Sequence, residues 1–255
     1  TFFAWGRQII KGIGWKLMRR ARAELGEEMP DPAVSAGTPS PQHLGVEPAV
    51  YAAVCDEAVL ESGAQLLFHA MPAAAGWEDG TWNVSICTKT GLVDIHAHAL
   101  IDATGDANVV SLAGCTLNRP DPVQPATLSV RHSGYSFDDL DIDAINTTAE
   151  QAIRANQLKI TDIGWRNNGA AGFLRGSGGN ANHVKAPDAH TSEGRSAAEI
   201  EGRRTMMRAL RFFRKQPGLE NYRMEMIRNE VGIRETVMIQ GETTITESDY
   251  LGGKS

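Results

Sequence analysis

The 255-residue chain carries 25 Lys and Arg against 31 Asp and Glu, which gives a formal net charge of −6. This length allows one large or two modest domains with a sizeable core. The acidic balance gives nucleic acid and anionic membranes no general attraction, and no apolar run approaches the roughly 18 residues of a membrane span. The cysteines Cys55, Cys87 and Cys115 fit neither a disulfide framework nor a zinc site, which favours reduced thiols and a cytoplasmic location.

Two helices are predicted in the first 63 residues. Apolar side chains recur at helical spacing within residues 1–29, which predicts the first helix. Proline, serine and glycine are frequent in residues 30–46, so a linker or surface excursion is expected there. Pro48 suits a first helical turn and Gly63 suits the position just past a helix end, so the second helix is expected between them.

Strand patterns follow the second helix. The apolar run 65–69 predicts a short buried strand. Two alternating segments, 82–86 and 93–97, each follow a turn and predict an antiparallel meander. A second apolar run, 99–103, predicts another buried strand. Helix, buried strand, meander and buried strand together predict an α/β core with a small antiparallel sheet inserted at one edge.

The second half of the chain predicts a separate α+β region. Two capping boxes, Thr147 with Glu150 and Ser196 with Glu199, predict helix starts. The Gly-rich segment 164–181 is aperiodic and predicts a loop. Strands are predicted at 126–132, 237–241 and 243–246.

Common catalytic motifs are missing from the sequence. The Gly-rich string 176–181 imitates a phosphate-binding fingerprint, but Pro187 follows where a helix should run. His96 and His98 share one face of a predicted strand without a third ligand nearby, so no metal site is expected. The sequence has no credible dinucleotide fingerprint and no serine nucleophile elbow.

One predicted strand end points to a ligand. The apolar run 99–103 leads into Thr104-Gly105-Asp106, where a Thr-Gly pair breaks the extended pattern. In open α/β sheets, ligands bind beyond the carboxyl ends of strands, and glycine lets the backbone approach a ligand closely. This string therefore predicts the edge of a cofactor cleft.

Two strings far apart in the sequence carry a family resemblance. With the pattern of 46–69 before them, Asp-Ala-Thr-Gly-Asp at 102–106 and Gly-Ile-Arg-Glu-Thr at 232–236 resemble an FAD-dependent oxidoreductase of the glutathione-reductase-like two-dinucleotide-fold superfamily. The resemblance runs in order over the whole chain. It implies an α/β fold: a partial FAD-binding Rossmann-like domain with an inserted antiparallel β-meander, plus an α+β substrate (cap) domain. The implied division is 1–40 for the N-terminal helix and linker, 41–115 for the partial FAD-binding domain, and 116–255 for the substrate domain.

The resemblance also implies site residues. Two segments are expected along the ADP half of FAD and its adenine: Ala103, Thr104, Gly105 and Asp106 for the first, and Ala70, Met71 and Pro72 for the second. Arg234 and Glu235 should face the isoalloxazine ring, where a cation would stabilise the anionic reduced flavin or a substrate carboxylate. A structural ion pair that braces the substrate domain is an equal alternative for these two residues. His183 and Arg175 are weaker candidates for substrate contact.

The expected function is that of a fragment of an FAD-dependent oxidoreductase, which transfers hydride or electrons between a small-molecule substrate and flavin. The resemblance places the Gly-x-Gly-x-x-Gly segment before Thr1 and a flavin-closing segment after Ser255, so the fragment is expected to be inactive alone. The alternative is a non-enzymatic α/β scaffold or assembly module that binds no FAD, and an NAD-binding dehydrogenase is a poorer third. The expected partner is a small-molecule substrate, with no nucleic acid and no membrane span, and a homo-oligomer is left open.

Overall fold

The structure is a computed structural model that describes residues 3–4, 7–31, 44–164, 169–176, 178–180 and 182–253. Within these residues it contains eight α-helices and four small antiparallel sheets, so the predicted mixed α/β class is confirmed. The chain divides into two compact units, residues 1–71 with 88–91 and residues 72–87 with 92–255. The three-domain division predicted from the sequence stays a prediction.

The helices are α1 (Gly12–Glu24), α2 (Pro48–Glu61), α3 (Asn108–Leu112), α4 (Ile142–Arg154), α5 (Ile160–Ile163), α6 (Gly169–Arg175), α7 (Ser192–Phe213) and α8 (Glu247–Leu251). The strands are β1 (Phe3–Ala4), β2 (Arg7–Gln8), β3 (Met71–Glu78), β4 (Thr81–Thr88), β5 (Gly91–Ala97), β6 (Leu117–Asn118), β7 (Val130–Ser133), β8 (Gly178–Gly179), β9 (Arg223–Ile227) and β10 (Met238–Ile239). The sheets pair β1 with β2 and β6 with β10, and order the others as β3-β4-β5 and β8-β7-β9.

The first unit is a packed pair of helices. Arg20 of α1 donates hydrogen bonds to Glu57 and Glu61 of α2, the bond from its Nη1 to Glu61 Oε2 being 2.8 Å long. The predicted second helix is confirmed, since α2 begins at Pro48 and Gly63 adopts a φ of +82° just after its end. The predicted first helix is shorter than its 1–29 range, and most of the predicted linker lies outside the described residues.

The predicted meander is confirmed and gains a strand. β4 and β5 cover the two alternating segments, and Asp79 and Gly80 form the preceding turn with φ of +50° and +78°. Two successive positive φ angles suit a hairpin turn that follows the twist of its strands. β3 was not predicted, because its sequence Met-Pro-Ala-Ala-Ala-Gly-Trp-Glu does not alternate between apolar and polar residues.

The two predicted buried strands that flank the meander are wrong. Residues 65–69 and 99–103 belong to none of the described strands. Leu67 and Phe68 are 61% and 62% exposed, and Ile101 is 86% exposed. An apolar run becomes a buried strand only where another strand pairs with it and another layer covers it. The described structure supplies neither for these two segments.

The main core lies in the second half of the chain. Buried side chains of α4, α6 and α7, of strand β7 and of the segments that connect them form one apolar cluster from Ala126 to Val231. The ring of His132 on β7 stacks on Phe173 at 4.8 Å, and Phe173 stacks on Phe213 at 5.3 Å. This core fixes β7 and the segments that pair beside it.

Both capping-box predictions are wrong. α4 begins earlier, at Ile142, where the Asp141 side chain accepts a hydrogen bond from Ala144 N at 3.0 Å. Thr147 lies inside this helix. α7 likewise begins four residues before Ser196, at Ser192 after the Thr191 cap.

The other predictions for the second half are met in part. α6 lies within the Gly-rich segment predicted as a loop, of which residues 165–168, 177 and 181 are outside the described part. The strand predicted at 126–132 is shorter and shifted as β7, and that at 237–241 is reduced to β10. Residues 243–246 form no strand and lead into α8, whose N-terminus Thr246 caps.

Candidate functional site

One carboxylate organises the Asp102 loop, residues 102–107, and joins it to the start of α3. Asp102 Oδ1 accepts hydrogen bonds from Thr104 N at 2.9 Å and Thr104 Oγ1 at 2.7 Å. Its Oδ2 accepts from Val109 N at 2.9 Å and Val110 N at 3.0 Å. Burial works to raise the pKa of Asp102, but these hydrogen bonds outweigh it and hold the pKa below its usual range. The predicted strand end is therefore a loop whose backbone and side-chain groups donate hydrogen bonds to an ionised aspartate.

The middle of this loop is open to a ligand. Ala103, Thr104 and Gly105 are exposed, and Gly105 adopts a φ of +82°. No heavy atom lies within 4 Å of the position that a Cβ of Gly105 would take. An extended group could therefore lie against this stretch of backbone, as the predicted contact with FAD requires.

Asp106 joins the Asp102 loop to the Arg234 segment, residues 231–236. One of its carboxylate oxygens accepts a hydrogen bond from Arg195 of α7, and the other accepts from Thr236 Oγ1 at 3.0 Å. The two strings that carried the family resemblance thus meet in space, although 130 residues separate Asp106 from Thr236. The role of Arg195 was missed, because no sequence signal links an arginine on a long helix to an aspartate so far away.

Arg234 is held by oxygen atoms. Its guanidinium donates to three of them: Pro125 O, Asn180 Oδ1 and, at 3.2 Å, Thr127 Oγ1. The side chain is exposed and forms no ion pair with a described residue. Hydrogen bonds therefore fix its positive charge in place, and no described carboxylate lies within ion-pair distance of it.

Glu235 is held by the same neighbouring segment. Its Oε2 accepts a hydrogen bond from Gln124 N at 2.9 Å. Within the described part of the chain, Arg234 and Glu235 brace residues 124–127 through hydrogen bonds and form no ion pair with each other. Their expected catalytic roles stay predictions.

Two residues close to Arg234 had little or no place in the sequence prediction: His183 was a weaker candidate for substrate contact, and Asn182 was not predicted. Asn182 is 1% exposed, and neither Oδ1 nor Nδ2 of its amide has a hydrogen-bond partner among the described residues. Its backbone oxygen accepts from Thr127 Oγ1 at 2.9 Å, which places the residue next to the Arg234 contact. Burial first, and the Arg234 charge second, lower the pKa of His183. The weaker candidate Arg175 lies elsewhere, over the ring of Phe137 at 4.7 Å.

The second expected flavin contact lies at the start of β3. Ala70 precedes this strand, and Met71 and Pro72 are its first residues. Met71 is 70% exposed. Ala70 and Met71 fall in the first compact unit and Pro72 in the second. The expected adenine contact stays a prediction.

The described residues hold neither a metal-binding cluster nor a membrane-spanning helix, and their cysteines are free thiols. No group of three or more His, Cys, Asp or Glu side chains there could hold a metal ion. His96 Nδ1 lies 2.5 Å from Asn83 Oδ1 instead. None of the helices described is both long and apolar enough to span a bilayer. Cys87 and Cys115 are exposed, Cys55 is half-buried, and all three are free thiols.

Comparison with known proteins gives one match. The family described as FAD dependent oxidoreductase matches residues 1–255. No curated protein and no solved structure matched the chain. The family match indicates FAD as the cofactor, and the open backbone of the Asp102 loop fits one edge of such a ligand. With the match extending over the whole sequence, the chain belongs to the FAD dependent oxidoreductase family.

Proposed function

We propose that this chain positions FAD and a small-molecule substrate for hydride or electron transfer. The observation that carries the proposal is the Asp106 carboxylate, which hydrogen-bonds both Arg195 and Thr236 and so ties the Asp102 loop to the Arg234 segment. When bound, FAD supplies the redox chemistry, and the protein supplies position and electrostatics.

The proposed cofactor contacts run through the backbone. Ala103, Thr104 and Gly105 lie along the ADP half of FAD, while Ala70, Met71 and Pro72 edge the adenine. The open space beside Gly105 supports the first contact. Asp106 lies beside the same half of FAD, and its carboxylate holds the loop in place through Arg195 and Thr236.

Arg234 and Glu235 are the proposed catalytic residues. An exposed guanidinium held by three oxygens is a preorganised positive charge, and such charges stabilise negative charge that develops during a reaction. Glu235 holds the backbone of Gln124, next to the Pro125 carbonyl that Arg234 contacts. These contacts keep the Arg234 guanidinium at a fixed position, where it would face the isoalloxazine ring of FAD.

We further infer that this chain does not complete the flavin site and is inactive alone. Leu67, Phe68 and Ile101 lie in segments outside every described sheet, and each is more than 60% exposed. Burial of such side chains contributes about 1.5–3 kcal/mol each, so their exposure supports a further layer against them. The free thiols support a reducing compartment such as the cytoplasm.

The proposal is tested by flavin retention. The protein that contains this chain, produced in its natural length, is passed through gel filtration with and without added FAD, and the flavin absorption of the protein peak is recorded. We expect about one flavin per chain, in keeping with a single site built by the Asp102 loop. Protein that elutes without flavin and takes up none would overturn the proposal and favour the scaffold alternative.

A further inference from the structure

One face of α7, the longest helix described, is exposed and basic. Residues 202–219 contain six basic residues and no acidic one. Along this face runs a row of exposed residues that we call the α7 stripe: Ile200, Arg204, Met207, Arg211 and Arg214. Residues three and four apart are neighbours on one side of a helix, so these side chains form a continuous surface. At 1.5 Å per residue the stripe is about 21 Å long.

Most of the positive charge on this face has no counter-charge. Arg203 contacts the carboxylate of Glu199, and Arg208 contacts those of Asp162 and Glu201. The other basic residues of the face form no ion pair with a described residue and are exposed: Arg204, Arg211, Arg214 and Lys215. An anionic surface would therefore be attracted to the stripe.

The stripe also presents two apolar side chains to solvent. Ile200 is 49% exposed and Met207 is 42% exposed, and both line an open groove of about 440 Å³ along the helix. The opposite side of α7 is already buried in the core, where Met206 is 2% and Phe213 is 0% exposed. Ile200 and Met207 are therefore available to a binding partner that is not part of this core.

The same half of the chain carries a surface segment of opposite charge. The acidic segment, residues 138–143, holds four exposed aspartates without an ion pair to a described residue: Asp138, Asp139, Asp141 and Asp143. Arg175, over the ring of Phe137, offsets part of this charge. Leu140 packs at the turn that follows α7, with its Cδ2 3.0 Å from the position that a Cβ of Gly218 would take. One compact unit therefore holds both a basic and an acidic surface.

We propose that the α7 stripe is an interface with a second copy of this chain, whose acidic segment docks on it. Guanidinium groups match the planar geometry of carboxylates, so Arg204 and Arg211 pair with aspartates of the second copy. Ile200 and Met207 lose their contact with solvent at the same interface, which adds a hydrophobic contribution. The proposal goes beyond the flavin function and does not depend on it.

The charge pattern disfavours two other occupants of the stripe. A contact between two α7 helices would place guanidinium groups opposite one another, which is repulsive. An anionic bilayer would attract the stripe but repel the acidic segment, which lies at the turn that follows the same helix. A second copy is attracted to both charged surfaces.

The test is sedimentation velocity of the natural-length protein at low and high salt. We expect self-association at low salt that weakens at high salt, because salt screens exposed charges. The stripe variant, Arg204→Glu/Arg211→Glu, should weaken association at least about tenfold, since two attractive charge pairs become repulsive. The segment variant, Asp138→Lys/Asp139→Lys, should have the same effect by reversing the other surface.

Exchange of the charges separates a direct contact from damage to the fold. The variant with all four substitutions should regain association, and so should an equimolar mixture of the stripe and segment variants, because opposite charges then face each other again. The matched control is Lys89→Glu/Arg119→Glu, which reverses two exposed positive charges outside the stripe and should leave association unchanged. Thermal unfolding checks that each variant is folded.

Four results would overturn the proposal. They are a natural-length protein that stays monomeric at low salt, association that the stripe and segment variants leave unchanged, equal loss in the control variant, and no recovery on charge exchange. Monomeric protein that binds phosphatidylglycerol vesicles, and loses this binding in the stripe variant, would assign the stripe to a bilayer instead. Sedimentation does not depend on flavin absorption, so a failure of the flavin proposal leaves this result intact.

Discussion

The two halves of the sequence differ in how well they bury their apolar side chains. Among the described residues before position 116, the buried hydrophobic side chains are Met18, Ala21, Val54, Val84 and Val109. Between Ala126 and Val231 they form one continuous cluster. In the first half, large side chains such as those of Phe68 and Ile101 lie mostly in solvent.

This difference in burial suggests that the two halves of the sequence have different roles. The second half builds its own core, which holds the segments around Arg234 in a fixed arrangement before any ligand binds. The first half presents the Asp102 loop and apolar surface, which suits contact with a cofactor and with further parts of a flavin-binding domain. The predictions below test this difference, beginning with the largest expected effect.

The first prediction contrasts two phenylalanines. Phe173 is 1% exposed within the core, and Phe68 is 62% exposed. Phe173→Ala should lower the free energy of unfolding by about 3–5 kcal/mol, because it leaves a cavity among stacked rings. Phe68→Ala should change it by less than about 0.5 kcal/mol. Urea denaturation of both variants decides the point, and equal losses would mean that the contrast between the halves is wrong.

The second prediction concerns acid. Burial lowers the pKa of His132 from 6.5 to about 4, and its ring neighbours Tyr135, Phe173 and Tyr222 carry no charge at these pH values. The unfolded chain then binds more protons than the folded chain between pH 6.5 and 4, so stability falls as the pH drops through this window. The expected loss is about 3 kcal/mol, from about 1.36 kcal/mol per pKa unit.

Urea denaturation at intervals from pH 7 downwards measures this slope. His132→Leu should flatten it whatever the variant does to stability at pH 7. His183 contributes in the same direction, since its pKa is also lowered. A slope unchanged by the His132 variant would contradict the assignment.

The third prediction concerns the link between the two strings. Asp106→Asn should weaken the contacts with Arg195 and Thr236 and cost about 1 kcal/mol of stability, since the ion pair is only partly buried. It should also reduce flavin retention, measured as FAD bound after gel filtration. Glu150→Gln is the matched control, because it removes a 3.7 Å ion pair with Arg154 that lies in solvent. If the Asp106 variant retained flavin normally, the contacts of Asp106 would no longer support the proposed function.

The smallest effect is expected at Ile101. Because its side chain is 86% exposed, Ile101→Ser should change the stability of this chain by less than about 0.5 kcal/mol. If the segment packs against a further layer of the flavin domain, the same change in the natural-length protein should lower its melting temperature. Thermal unfolding of the chain alone and of the natural-length protein compares the two, and equal effects would argue against such a layer.

The sequence alone determined the elements whose signals are local. Pro48 at the start of α2 and Gly63 just after its end act through their own backbone angles. The turn at Asp79–Gly80 needs only residues that tolerate a positive φ. The family and its cofactor also followed from the sequence, because the motifs at 102–106 and 232–236 can be recognised without knowing the fold.

Only the tertiary structure decided which of several local signals prevails. Thr147 and Asp141 are both capable helix caps, and the start of α4 at Ile142 places Ile145 in the helix and in the core, 2% exposed. The apolar runs 65–69 and 99–103 carry strand-like composition, but burial depends on partners that a local pattern does not specify. The contact of Asp106 with Arg195 and Thr236 spans 89 and 130 residues, so it arises only when the chain has folded.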